Sequence, residues 1–167
     1  MPISMYHVAV PTCLRFLTAL SAVLDKAAAH QRESGADDAE LLNARLAPDM
    51  LPLSQQVQIA TDHAKGMAAR LAGREVPKFD DTESTIEELK GRIAKVMDFI
   101  SSVEVAEIDG SEDREITLKL RDRTLTLAGQ QYLLNFALPN FFFHVTTAYD
   151  ILRHRGVPLG KRDFMGA

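Results

Sequence analysis

The chain has 167 residues, 46% of them hydrophobic and 25% charged, with a formal net charge of -4. That composition fits one globular domain spanning 1–167, and the acidic balance argues against nucleic acid or an anionic membrane as the main partner. A single cysteine, Cys13, excludes an intrachain disulfide. The apolar N-terminus lacks a basic leader and carries Arg15, so it reads as a mature helix of a cytoplasmic protein rather than a secretion signal.

The first helix is predicted from about Ile3 to about Glu33, where Val10, Cys13, Leu17, Leu20 and Leu24 follow the spacing of one buried helical face. Pro11 lies within it and must start a new stretch or kink the old one, because proline lacks a donor and clashes one turn back. "GADDAE" breaks the pattern, "DDAELLNARL" reads as a short connecting helix, and Pro48 and Pro52 bracket the next boundary. A second long helix follows from Leu53 to Leu71 on Val57, Ala60, Ala64, Ala68 and Leu71, stopped by Gly73. After the polar linker "REVPKFDDTEST", Thr82 or Ser84 is the expected cap of a third helix, with Glu87 completing a capping box for Ser84. Its stripe is Ile86, Leu89, Ile93, Val96 and Ile100.

The period then changes. Ile116, Leu118 and Leu120 alternate with polar residues, as do Leu125 and Leu127, which predicts a small hairpin turning near Asp122 with its apolar face on the helices. A fourth helix runs from Gln130 to Arg155 and stops at Gly156 and Pro158. The predicted fold is therefore all-α, a four-helix bundle with a small β-hairpin before the last helix.

On the fourth helix, steps of three and four give Leu133, Ala137, Asn140, His144, Thr147 and Ile151, an apolar stripe with three polar residues at its middle. On the second, a similar stripe reads Leu51, Gln55, Gln58 and Asp62. If the two stripes meet, they enclose a polar core pocket around Gln58, Asn140 and His144, with Asp62 and Thr147 beside it. Three readings of that pocket stand open: mutual hydrogen bonding, a small-ligand site, or a metal site, for which amide oxygens are poor donors. Asp62 reads as a solvated or capping acid that could complete a two-ligand site.

His30 and His63 fall on or near polar faces and read as exposed, His154 complements the dipole at the end of the last helix, and Cys13 reads as a small core residue. No residue can be assigned a catalytic role. Phe136, Phe141, Phe142, Phe143, Val145 and Tyr149 make the last helix apolar around much of its circumference, which predicts a homodimer. Cover from the hairpin, or from the C-terminal segment with Phe164 and Met165, is the monomeric alternative.

"LAPDMLPLSQQVQIATDHAKG", "FALPNFFFHVTTAYDILRHRG" and "GKRDF" together resemble a bacterial domain-of-unknown-function family of the DinB/YfiT-like superfamily over essentially the whole chain. The resemblance implies a four-helix bundle of mirrored up-and-down topology, cytoplasmic and often dimeric. It also implies kinship with metalloenzymes, some of them thiol-dependent transferases, that use three histidines: one on the second helix and a His-x-x-x-His pair on the last. Carried across, those positions are Gln58, Asn140 and His144, so His144 is the single matching ligand position and the triad is degraded. No metal is therefore expected, with zinc, nickel or iron as the alternative. Whether the chain is an enzyme stays open between a small-ligand bundle and a metal-dependent hydrolase or transferase.

Overall fold

The computed structural model describes residues 3–166. Helix α1 (Met5–Ser34) starts where the Ser4 hydroxyl accepts from the His7 amide at 3.1 Å and ends at Gly35, whose φ of 67° suits a residue without a side chain. Pro11 neither starts nor ends it. His7, whose carbonyl loses its usual donor to the proline, and Pro11 itself are both exposed, so water can satisfy that carbonyl. A short α2 (Asp38–Leu42) follows, and the Asp38 carboxylate accepts from the Ile86 amide at 3.0 Å, tying α2 to the start of α4.

Helix α3 (Leu53–Ala72) begins after Pro52 and ends at Gly73, as the spacing predicts. Helix α4 (Ile86–Ser101) is capped by Thr85, not by Thr82 or Ser84, and Glu88 rather than Glu87 closes the capping box. The box sits one residue later than predicted, and Ile86, at 1% exposure, enters the core at the first helical position. Every residue of the predicted α4 stripe is buried.

After α5 (Val105–Ile108), strands β1 (Glu115–Lys119) and β2 (Thr124–Ala128) pair antiparallel, Ile116 opposite Leu127 and Leu118 opposite Leu125. Ile116 and Leu118 are buried against the helices, which supplies the support a lone hairpin needs. Gly129 then enters α6 (Gly129–Tyr132); a Cβ there would stand 2.0 Å from the Ser111 carbonyl oxygen, so only glycine permits this approach.

The last helix is not continuous α. Residues Leu133–Ala137 form a π-helical turn, with the Leu138 amide bonding back to the Leu133 carbonyl, before α7 (Leu138–His154) and α8 (Lys161–Met165). Pro139 explains the wide turn: it offers no N–H to Asn135, and its ring crowds that carbonyl. The extra residue shifts the buried face. Leu133 and Ala137 are buried as the stripe predicts, and so are Thr147 and Ile151 further on, but just beyond the turn Phe141 and Val145 take the core positions in place of Asn140 and His144. Phe141, Ala148 and Leu152 are fully enclosed, whereas Asn140 and His144 lie at the margin of the core.

Helix α3 is the pivot of the bundle, packing on α7 and α4, while α1 packs on α4 and α8. Much of the aromatic surface of α7 is covered within the chain. Phe142 stands edge-on to Phe16 at 4.8 Å, and Phe164 of α8 meets both Phe16 at 5.4 Å and Tyr149 at 5.8 Å. Phe143 remains 56% exposed.

Candidate functional site

Two polar faces of α3 differ in chemistry. The first faces the linker of residues 74–85. Arg92 of α4, whose side chain is 1% exposed, donates from Nε to Thr61 at 2.8 Å, from Nη2 to Asp62 at 2.9 Å, and from Nη1 to Glu83 and the Asp80 carbonyl, both at 3.1 Å. Asp81 lies 3.0 Å from Nη1, Gln58 donates to Glu83 at 2.9 Å, and Lys65 pairs with Asp62 at 2.7 Å beneath the Phe79 ring. Burial works to raise the Glu83 carboxyl, but hydrogen bonds from Gln58 and Arg92 outweigh it and leave the group below its usual range. This cluster clamps the linker onto α3 and α4. A groove of about 590 Å³ opens beside it, but its buried cation, Arg92, is already surrounded by carboxylates.

The second face carries Gln56, His63 and Arg70, spaced by sevens and therefore nearly aligned along the helix. The Gln56 side-chain amide donates to the Leu51 carbonyl at 3.0 Å, and its oxygen accepts from His144 Nδ1 at 2.7 Å. An amide oxygen cannot donate, so His144 carries its proton on Nδ1 and leaves Nε2 as the lone-pair nitrogen. The His63 ring stacks on His144 with centroids 5.8 Å apart and planes 14° from parallel, and Phe136 of the π turn meets His63 edge-on at 6.0 Å. Phe136 in turn stacks on Tyr132 at 6.0 Å, and Arg70 donates to the Tyr132 hydroxyl at 3.2 Å.

Gly66 allows that last contact. A Cβ there would fall 2.3 Å from Arg70 Nη1, so the guanidinium lies across the helix surface where a side chain would otherwise be. His63, Arg70, Asp62 and Phe136, with residues 117–119 of β1 and Leu120 just after it, line a cleft of about 340 Å³. Burial, then repulsion from His144, lowers the His63 pKa to about 4; Asp62 opposes this and Arg70 adds to it. Burial lowers His144 as well. Both imidazoles are neutral at pH 7.

The structure therefore rearranges the predicted pocket. Gln58 and Asp62 belong to the Arg92 clamp, while Gln55 and Leu51 are exposed. Asn140 Nδ2 donates to the Phe136 carbonyl and the Thr147 hydroxyl to the Phe143 carbonyl, each at 2.7 Å and each one turn back on its own helix. Gln58, Asn140 and His144 thus make no hydrogen bonds to one another, because the π turn rotates the last two away and Gln58 faces the linker. Nor do they suit a metal: Gln58 engages Glu83, and Asn140 turns its amide to its own helix. Among the described residues no group of three or more His, Cys, Asp or Glu side chains is placed to hold a metal ion.

His30 and His63, expected to be exposed, are both half-buried. For His63 the cause is cover from Phe136 and His144. The spacing of Gln56, His63 and Arg70, with Gly66 between the last two, is the signal that sequence reasoning missed. Cys13 is a core residue as expected, and burial pushes its thiol up to about 12, which makes it inert as a nucleophile.

No curated protein matches the chain. A crystal structure of a DinB family member protein from Shewanella denitrificans is 40% identical, over 97% of this chain and 92% of that one, and superposes with a TM-score of 0.88. The sequence pattern of the domain of unknown function DUF1993 matches residues 5–165. With that match over nearly its full length and a DinB-family bundle as its structural likeness, the chain belongs to the DUF1993 family of DinB-like proteins.

Proposed function

We propose that the chain is a small-molecule-binding bundle protein whose ligand sits in the cleft between α3, the π turn and β1. The observation that carries this reading is the state of His63: a neutral, half-buried imidazole lining a 340 Å³ cleft, with a second neutral imidazole stacked behind it. A few polar groups converging in a partly apolar cleft is the usual form of a ligand site. An NMR fragment screen followed through the ring signals of His63 and His144 tests it. Hits that move both signals in the wild type and vanish in His63→Ala are expected; a screen in which hits leave the pair unmoved overturns the reading.

A metal-dependent hydrolase or thiol-dependent transferase is the alternative that kinship with the superfamily suggests. It finds no support in the positions of Gln58 and Asn140. Stoichiometric zinc, nickel or iron in protein purified without an affinity tag, lost on His144→Ala, would reinstate it. The homodimer now rests on exposed Phe143 rather than on the whole aromatic surface of α7, and light scattering at micromolar concentration checks it. A cytoplasmic setting accords with the free, buried Cys13 thiol.

A further inference from the structure

Resting on the cleft assignment above, we propose that the ligand is a planar aromatic carboxylate, its ring against Phe136 and His63 and its carboxylate on the guanidinium of Arg70. Three observations point to that class. Arg70 is a permanently charged fork with five N–H groups, and its hydrogen bond to Tyr132 uses one of them, leaving an edge suited to a two-oxygen anion. Charge in the cleft favours an anion. Asp62, its one lining acid, is compensated by Lys65 and Arg92 at 2.7 and 2.9 Å, while Arg70 and Lys119 line the cleft as cations and His63 is neutral. The protein as a whole is acidic, so this local reversal is a property of the cleft.

Shape supplies the third point. Phe136 and His63 meet edge to face, which forms a corner of two π surfaces where a flat ring can rest against one and abut the other. The guanidinium lies over Gly66, three residues from His63, and three residues of helix rise about 4.5 Å. A ring resting against His63 therefore directs its carboxylate along the helix toward that guanidinium. A ligand without an anion would leave the Arg70 fork unmatched.

Benzoate, benzamide and cyclohexanecarboxylate titrated into the full chain at pH 7, with the His63 and His144 ring signals as readout, test the proposal. Benzoate is expected to move both signals and to bind about tenfold tighter than benzamide, the difference between a charge-assisted and a neutral hydrogen-bonded contact. It is also expected to raise the apparent pKa of His63, which benzamide should not do. Arg70→Gln should remove the preference for benzoate while leaving benzamide binding in place, and Gly66→Ala, which displaces the guanidinium without touching the ring corner, should weaken it in the same direction.

Equal binding of benzoate and benzamide overturns the anion, and equal binding of cyclohexanecarboxylate overturns the aromatic ring; in both cases the cleft reading survives. If none of the three moves His63, this proposal falls, and the cleft reading is decided separately by the fragment screen described above.

Discussion

The two polar faces of α3 use similar residues to opposite ends. Toward the linker, Thr61, Asp62 and Lys65 are joined to Arg92 and, through Glu83, to Gln58, so that each side chain is held by at least one protein partner. Toward β1, His63 meets its neighbours through ring faces and edges, and Arg70 engages one hydroxyl. A saturated polar cluster fixes a chain segment; an unsaturated one at the edge of a cleft retains capacity for a ligand. The difference explains why the buried ion cluster, though denser in charge, is the poorer candidate for function.

Breaking the clamp should have the largest effect. Arg92→Met leaves Asp62, Asp81 and Glu83 without their shared cation, and a loss of about 3 kcal/mol in urea denaturation is expected, moderated because Asp62 and Asp81 reach solvent. A loss below about 1 kcal/mol would mean that the linker is held by other contacts.

The opposite face should respond to pH. The folded pKa of His63, about 4, lies below its ordinary 6.5, so the unfolded chain binds the proton more readily. Its contribution is complete above about 6.5 and is lost as pH falls through that value toward about 4. Between those limits wild type should lose on the order of 2 kcal/mol relative to His63→Gln, a figure reduced for the partial exposure of the ring. His144, Asp62 and Arg70 face the same ring, so parallel curves for the two proteins would show that His63 is not the titrating group.

Smaller effects separate the faces further. Gln56→Ala removes the acceptor of His144 Nδ1 and should cost about 1 kcal/mol, with the imidazole nitrogen shifts reporting a mixture of tautomers. Gly66→Ala should change stability least, within about 0.5 kcal/mol, because the gain from replacing a mid-helix glycine offsets the displaced Arg70–Tyr132 contact. A large loss there would place Arg70 among the residues that hold the fold.

The helices and hairpin are legible in the sequence because they rest on short-range periodicity. Ile86, Leu89, Ile93, Val96 and Ile100 repeat at helical spacing and are all buried, and Ile116 and Leu118 alternate as strand residues do. The site is not legible in the same way, since it depends on how separate periodic stretches are rotated relative to one another. Stepping along the last helix at α spacing places Asn140 and His144 on the core face, but the π turn before Pro139 hands that face to Phe141 and Val145. On α3, Gln58 and Gln56 lie only two residues apart, yet one bonds Glu83 and the other His144. Neighbours separated by about 200° on a helix serve different partners, and composition does not distinguish them.

The π turn also governs how this chain tolerates changes of length. From Leu133 one row of enclosed positions, 137, 141, 145, 148 and 152, runs at offsets of 4, 8, 12, 15 and 19 residues. Removing one residue from within 134–136 turns those offsets into 3, 7, 11, 14 and 18, the spacing of an uninterrupted α-helix. Such a deletion would leave Phe141, Val145, Ala148 and Leu152 facing inward and His144 still beside Gln56, while Pro139, still without an N–H, would kink the helix at that point. The same deletion made after Asn140 would rotate everything beyond it by about 100°. The wide turn thus acts as a length buffer, a place in the last helix where the gene can lose a codon while the same row of side chains still faces the bundle.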